Sequence, residues 1–261
     1  MITGRRLRRH YIAFQTIVIK EILRFSRIWI QTILPPAMTT ALYFVIFGTL
    51  MGEQIGEMGG VRYVDYIVPG LILLAVTNNA YSNVVSSFYS TKFHRHIEEL
   101  LMSPVPNWII VCGFVLGGVA RGTVVGGVVT LVAMIFTDLT VHSPAVTLAV
   151  FLLTATVFSL GGLINGIFAR NFDDISIVPT FVLTPLTYLG GVFYSIELLP
   201  PFWRAVSQVN PILYMVNAFR YGLLGVSDID IGVAFAVILG FIGGFAGLAL
   251  HLLNRGTGIK G

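Results

Sequence analysis

Cysteine is all but missing from this sequence. Cys112 stands alone in an apolar stretch, which excludes an internal disulfide and offers no cysteine cluster for a metal. Charge is scarce as well: Asp, Glu, Lys and Arg make up only 11% of the 261 residues, against roughly a quarter in a soluble domain. No polar linker, internal repeat or low-complexity segment divides the chain, so residues 1–261 are expected to form one membrane-embedded domain with nothing soluble attached. The excess of 16 basic over 12 acidic residues does not point to nucleic acid, because the cations sit where membrane topology would place them. Met1 to His10 is basic, but the stretch after it carries charges throughout and lacks the apolar core and cleavage site of a secretory signal. That start is expected to be retained.

Catalytic signatures are missing too. There is no zinc-protease helix motif, no serine elbow, no cysteine pair and no glycine loop leading into Lys-Ser or Lys-Thr. His10, His94, His96, His142 and His251 are scattered and make no ligand set. The chain is therefore expected not to be an enzyme and to hold no metal or cofactor. Any nucleotide energy must come from another chain.

What is abundant is apolar sequence, 56% of the chain. Tyr11, Phe14, Val18, Ile22, Phe25 and Trp29 recur at helical spacing, with Thr16, Lys20, Arg24 and Arg27 opposite them. This pattern predicts an amphipathic interfacial helix over about 10–27, lying on an anionic cytoplasmic leaflet. Long runs of low charge follow: Ile28 to Met51 with Pro35-Pro36 as a kink, Tyr66 to about Tyr89, about Trp108 to Phe136, a span within Leu139 to Ala169, Ile175 to Ile196, and about Ile231 to Leu253. Each can cross a bilayer at about 1.5 Å per residue. Gly161, Gly162 and Gly166 would allow close helix contact in the fourth.

The last third is unusual. After Ile196 come Pro200-Pro201-Phe-Trp-Arg and then Ala205 to Phe219, broken by Asn210-Pro211. These pieces are too short to span and too apolar for a wet loop, and each proline removes a donor and disfavours helix before it. Short helices over about 195–225 that dip into the membrane and return fit the pattern. Such segments need burial in protein or a cavity to line, which leaves two readings: the outer end of a pathway, or a plug sealing the bundle.

Orientation follows from the cations. With both termini inside, Arg5, Arg6, Arg8, Arg9, Lys20, Arg24, Arg27, Lys92, Arg95, Arg170, Arg255 and Lys260 are cytoplasmic, while Arg62, Arg204 and Arg220 lie outside. Six crossings return the C-terminus to the starting side.

Within the spans no carboxylate lies near mid-depth, which weakens a proton- or sodium-coupled mechanism. Asn79 and Asn83, one turn apart, fit interhelical hydrogen bonding or contact with a passing solute. Arg121 is the single charge deep in a span; it either attracts an anionic group or snorkels and pairs between helices. Between the second and third spans, Phe93, Ile97, Leu100 and Leu101 recur at helical spacing, with Arg95, Glu98 and Glu99 on other faces and Pro104 and Pro106 as the stop. A short helix over about 92–103 with an uncovered apolar face would dock in a partner's groove or rest on the inner leaflet.

The stretch Ile-Glu-Glu-Leu-Leu-Met-Ser-Pro-Val-Pro, residues 97–106, resembles the coupling-helix region of the type-2 ATP-binding-cassette export permeases of bacteria. Residues 179–195, Leu-Leu-Pro-Pro-Phe-Trp and Val-Asn-Pro-Ile-Leu-Tyr-Met-Val-Asn-Ala-Phe-Arg-Tyr-Gly extend the resemblance through Gly222. It implies an all-α polytopic inner-membrane protein with six transmembrane helices, an N-terminal interfacial helix and short re-entrant helices before the sixth span. It also implies a homodimer working with two copies of a separate ATPase subunit, which alone uses ATP. Phe93, Arg95, Ile97, Glu98, Glu99, Leu100 and Leu101 would then couple to the ATPase. Asn79, Asn83, Arg121, Pro200, Pro201, Asn210 and Pro211 would be pathway or gate candidates, with membrane lipids around them. Two other readings stand beside an exporter: a membrane scaffold that binds an ATPase without moving a solute, and a secondary transporter.

Overall fold

A computed structural model describes residues Ile2 to Gly258; the cytoplasmic position expected for Lys260 lies outside the described residues. Helix dominates. α1 (Ile2–Arg27) is followed after Ile28 by α2 (Trp29–Tyr43), which holds Pro35 and Pro36 and continues as a π-helical stretch, Phe44–Leu50. The one-turn α3 (Gly52–Ile55) leads to a minimal antiparallel hairpin, β1 (Glu57–Met58) and β2 (Val61–Arg62). Then come α4 (Tyr63–Phe93), α5 (His96–Met102), α6 (Asn107–Phe136) and α7 (Pro144–Phe168). α8 (Asp174–Val178), a π turn (Pro179–Leu183) and α9 (Thr184–Tyr188) form one continuous rod. The chain ends with α10 (Pro201–Gln208), α11 (Pro211–Leu224) and α12 (Ile231–Arg255).

Among the described residues four helical segments are long and apolar enough to cross a membrane: Trp29–Gly48, Asn107–Phe136, Pro144–Phe168 and Ile231–Arg255. α4, at 31 residues, has the length, but Asn78, Asn79, Asn83 and several serines make its middle more polar. The run Ile175–Ile196, expected to be one span, is helical only to Tyr188. The rod is about 22 Å long at 1.5 Å per residue, short of the roughly 30 Å of bilayer hydrocarbon. Gly190-Gly191 ends it, with Gly191 at φ 69°, a left-handed conformation that glycine adopts freely.

The connections gather at two ends. At one, Arg62 of the hairpin reaches Asp138 beyond α6 at 3.8 Å, and the His142 and Ser143 amides donate to the Leu223 and Gly222 carbonyls of α11. At the other, Lys92 Nζ donates to Ile167 O and Ala169 O, and Asn107 Nδ2 to Asn254 Oδ1 at 2.7 Å. Two apolar clusters fill the space between. One centres on the first half of α4 with α7 and α11 and includes Tyr66, Leu71, Val76, Val150 and Phe219. The other joins α1, the second half of α4, α5, α6 and the ends of α7 and α12 through Ile17, Phe88, Ile97, Ile110, Leu163 and Leu252.

Close packing around α4 depends on missing side chains. A Cβ on Gly162 would lie 2.5 Å from the Tyr81 carbonyl, and one on Gly118 would collide with Ser159, so both positions require glycine for these helices to touch. By contrast Gly161, expected to share that role, has its nearest neighbours at 3.7 Å or more.

Candidate functional site

α4 carries its polar residues in a line. Asn78, Ser82, Ser86 and Ser90 recur every fourth position, hence on one helical face, and all four are exposed or half-exposed while their neighbours in the chain, Asn79 apart, are buried. Beside the Asn78 end of this line, its upper part, α2, α4 and α9 border an open pocket of about 310 Å³, lined by Thr39, Tyr43, Asn78, Asn79, Thr184 and Tyr188, with Pro35 and Pro36 in its wall. Hydroxyl and amide groups so placed can hydrogen-bond a polar solute or water, but nothing there is a nucleophile with an adjacent base.

The two asparagines part company. Asn79 faces the pocket, its Nδ2 donating back to Ala75 O at 3.0 Å. Asn83 is fully buried, and its Oδ1 and backbone carbonyl accept from Arg24 Nη2 at 2.8 and 2.7 Å. Arg24 belongs to α1, which also carries a buried acid that periodicity missed. Glu21 is 0% exposed: Ser87 Oγ donates to its Oε1 at 2.5 Å and Arg24 Nε lies 3.4 Å from its Oε2. Its side chain rests on Gly117 of α6, where a Cβ would come within 2.5 Å of the Glu21 Cβ. α1 is therefore fastened by Ile17, Glu21 and Phe25, a row spaced four apart. The apolar stripe read from the sequence is corrected in part, since Phe25 packs into the protein while Tyr11, Ile22 and Trp29 stay exposed. The available signal was the paired row Ile17-Glu21 on α1 against Gly113-Gly117 on α6.

Arg121 is half-buried one turn beyond Gly117, and its Nε has no hydrogen-bond partner; among the described residues no carboxylate pairs with it.

The helix expected over about 92–103 exists as α5, but its apolar face is turned inward. Ile97 is 1% exposed in the α1–α6–α12 cluster, and Leu100 and Leu101 pack against that cluster. The face is thus covered by the chain itself, because the turn at His94-Arg95, with Arg95 left-handed at φ 62°, folds α5 back onto α4 and α6. Exposed instead are Phe93, Arg95, Glu98, Glu99 and, at 88%, Met102.

A brace joins this turn to the α7–α8 connection. Tyr89 Oη donates to Arg170 O at 3.0 Å, and the Tyr89, Phe93 and Phe172 rings stack edge to face and tilted, 4.9 to 6.1 Å apart. Burial, aided by the nearby Arg170 charge, holds the Lys92 ammonium below the ordinary lysine value. The Asp174 carboxylate accepts from the Arg170 and Asn171 amides at 2.7 and 3.3 Å, and these bonds lower its pKa.

At the other end Pro201 and Pro211 each occupy the first turn of a helix, where the missing N–H costs nothing. Pro200 precedes α10 as its cap. Asn210 caps α11 by accepting from the Ile212 amide at 3.0 Å, and its Nδ2 donates to Leu186 O at 2.5 Å, tying α11 to α9. The turn after α9 is buried: Val192 is 1% exposed, and a Cβ on Gly70 of α4 would lie 2.7 Å from its carbonyl. Arg220, counted from the sequence among the cations on the outer side, is 1% exposed. Its Nη2 donates to Gly191 O at 2.6 Å, Nε to Tyr66 O and Nη1 to Asn217 Oδ1 at 3.4 Å, and its guanidinium sits 3.8 Å over the Tyr66 ring. An Asn and an Arg three apart in a helix that is otherwise apolar was the sequence cue.

Comparison with known proteins identifies the family. The family profile described as ABC-2 type transporter matches residues 12–224. The chain is 53% identical over 251 residues to the inner membrane transport permease YadH of Escherichia coli (strain K12), covering 96% of this chain and 98% of that protein. It is 22% identical over 215 residues to nodulation protein J of Rhizobium meliloti (strain 1021), covering 82% of each. With the profile matched over most of its length and one relative more than half identical over nearly all of it, the chain belongs to the ABC-2 type transporter family and is a transport permease, the membrane component of an exporter.

Proposed function

We propose that the solute path runs along the Asn78-Ser82-Ser86-Ser90 face of α4 and is completed by a second copy of this chain. The observation that carries this is the exposure of that polar line in a single chain. Ser86 Oγ already donates to Ser82 O, but the Asn78 amide and Ser82 hydroxyl, turned toward lipid, would lack partners at a cost of several kcal/mol per unsatisfied group in hydrocarbon, so the face belongs against a wet cavity or another protein. The pocket of about 310 Å³ at its upper end supports the first and the open lower part the second. Asn79 would line the path, and Arg121 would add a cation near it.

In this reading the chain crosses a bacterial inner membrane six times with both termini cytoplasmic, the rod from Ile175 to Tyr188 and the buried turn beyond it serving as the fifth crossing. α10 and α11 are re-entrant and close the outer end, with Pro200, Pro201, Asn210 and Pro211 setting their entrances; the buried backbone at Val192 supports this, since irregular backbone at membrane depth needs a protein surround. α5 is the coupling element. Ile97, Leu100 and Leu101 anchor it, while Phe93, Arg95, Glu98, Glu99 and Met102 meet one of two ATPase subunits, which hydrolyse the ATP. Closure of those subunits would be transmitted through α5 and the Tyr89–Arg170 brace to α4 and α7.

The test uses cysteines at Asn78 and Ser82 in a Cys112→Ala background, in membranes holding the chain with its ATPase. Reaction with a water-soluble thiol reagent that changes on ATP addition, and cross-linking between copies, are expected. Residues that react with neither reagent nor partner copy would place this face against lipid and remove the pathway, leaving the scaffold reading.

A further inference from the structure

We infer that the path loads an amphiphile with an anionic, phosphate-type headgroup, received by Lys20, Arg24 and Arg27 of α1. This rests on the pathway reading and names the substrate class for it. The three cations lie on one face of α1, where they share a groove of about 690 Å³ with Ile19, Leu23 and Ile28. A row of cations beside a row of aliphatic side chains matches a headgroup beside an acyl chain. The groove touches the polar line of α4 at Ser86, whose Oγ accepts from Arg24 Nη1 at 3.5 Å; beside it Arg24 also donates to the buried Asn83, and Lys20 Nζ to the buried Thr91 Oγ1 at 3.3 Å.

The charge in the groove is not balanced from within. Glu21, the acid on the same part of α1, is buried and already engaged by Arg24 and Ser87. Arg27 is exposed and makes no ion pair among the described residues, and neither does Arg121 beyond it. A second copy would be a poor occupant, because a two-fold contact brings the same face against itself and would set cations against cations. An anion with an apolar tail satisfies both rows.

The experiment places the full-length chain in phosphatidylcholine discs containing either didecanoyl phosphatidic acid or didecanoylglycerol, which has the same tails without the phosphate. Bound amphiphile is read by native mass spectrometry. The phosphate-bearing probe should be retained at least tenfold over the neutral one. Lys20→Gln with Arg27→Gln should weaken its retention roughly thirty-fold, from the attraction typical of two cations near an anionic group. Arg8→Gln with Arg9→Gln, on exposed positions of the same helix away from the groove, should change it less than about twofold. Lys20→Arg with Arg27→Lys keeps the charge and should bind as the parent does. Arg24 is left intact because it holds α1 to α4.

Equal retention of the two probes, or equal loss in both neutralised variants, would overturn the site. With ATPase subunits and ATP added, the bound phosphatidic acid should be released. Occupancy unchanged by ATP would mark a resident lipid and overturn the substrate assignment. Binding is read without the ATPase, so its loss sinks this inference alone, whereas binding with no reagent-accessible α4 face would sink the pathway reading.

Discussion

Replacing Ile97 and replacing Met102, five positions apart on the same short helix, should break different things. Ile97 is 1% exposed, in a cluster that includes Phe88 and Ile110, both at 0%. Cutting it to Ala removes buried methyl and methylene groups and leaves a cavity, which costs about 2–5 kcal/mol for this change. Taking about 3 kcal/mol, the thermal midpoint of the purified chain should drop by roughly 5–10 °C. Met102 is 88% exposed, so Met102→Asp should alter stability by no more than about 0.5 kcal/mol. If Met102 seats in the ATPase, however, the substitution forfeits roughly 1.5–3 kcal/mol of burial and puts a charge into a desolvated contact, a loss of ten- to a hundredfold in ATPase retention. The assay pairs a melting curve with co-purification of the ATPase for each variant. An Ile97→Ala chain with an unchanged melting point would refute the inward packing. A Met102→Asp chain that keeps its ATPase and its transport would refute the docking role of the exposed face.

Arg220→Met should destabilise the chain by about 3 kcal/mol, because it leaves the buried Gly191 carbonyl without its donor and removes the cation over Tyr66; cysteines near Val192 should become reactive in that variant, and a normal melting point with a protected turn would contradict the account. The Asp174 carboxylate titrates below its ordinary 3.8 because its charge is hydrogen-bonded in the fold. Its contribution is therefore complete above that value and is lost as pH falls through the lowered one, so the Arg170 and Asn171 amides should stay protected from hydrogen exchange at pH 6 and lose protection only in strong acid, whereas Asp174→Ala, which removes the acceptor, loses it at every pH. For orientation, cysteines at Gly59 and Ser227 should label from outside intact cells and those at Thr91 and Thr257 should not; outside labelling at Thr91 would invert the topology and remove α5 from the cytoplasm.

The membrane class of the protein was legible in the one-dimensional record, and so were most helices, because a long apolar run has few alternatives once backbone groups must be satisfied internally. The prolines at 201 and 211 and the stop at Pro104 and Pro106 likewise mark helix ends by local chemistry alone. Where side chains end up is a different matter. Helical spacing alone grouped Ile97 with Phe93 as one apolar face, yet the left-handed turn at Arg95 buries the first and exposes the second. Asn79 and Asn83 share a side of α4 by periodicity, but α1 approaches only the lower one, so one lines a pocket and the other is bound by Arg24. Glu21 and Arg220 look like surface charges in a list of residues and are buried because Gly117 in one case, and the turn at Gly191 in the other, admits them. Periodicity along a helix states which residues lie together on it; which neighbour covers that side depends on close approaches between segments 30 to 150 residues apart, and those exist only in three dimensions.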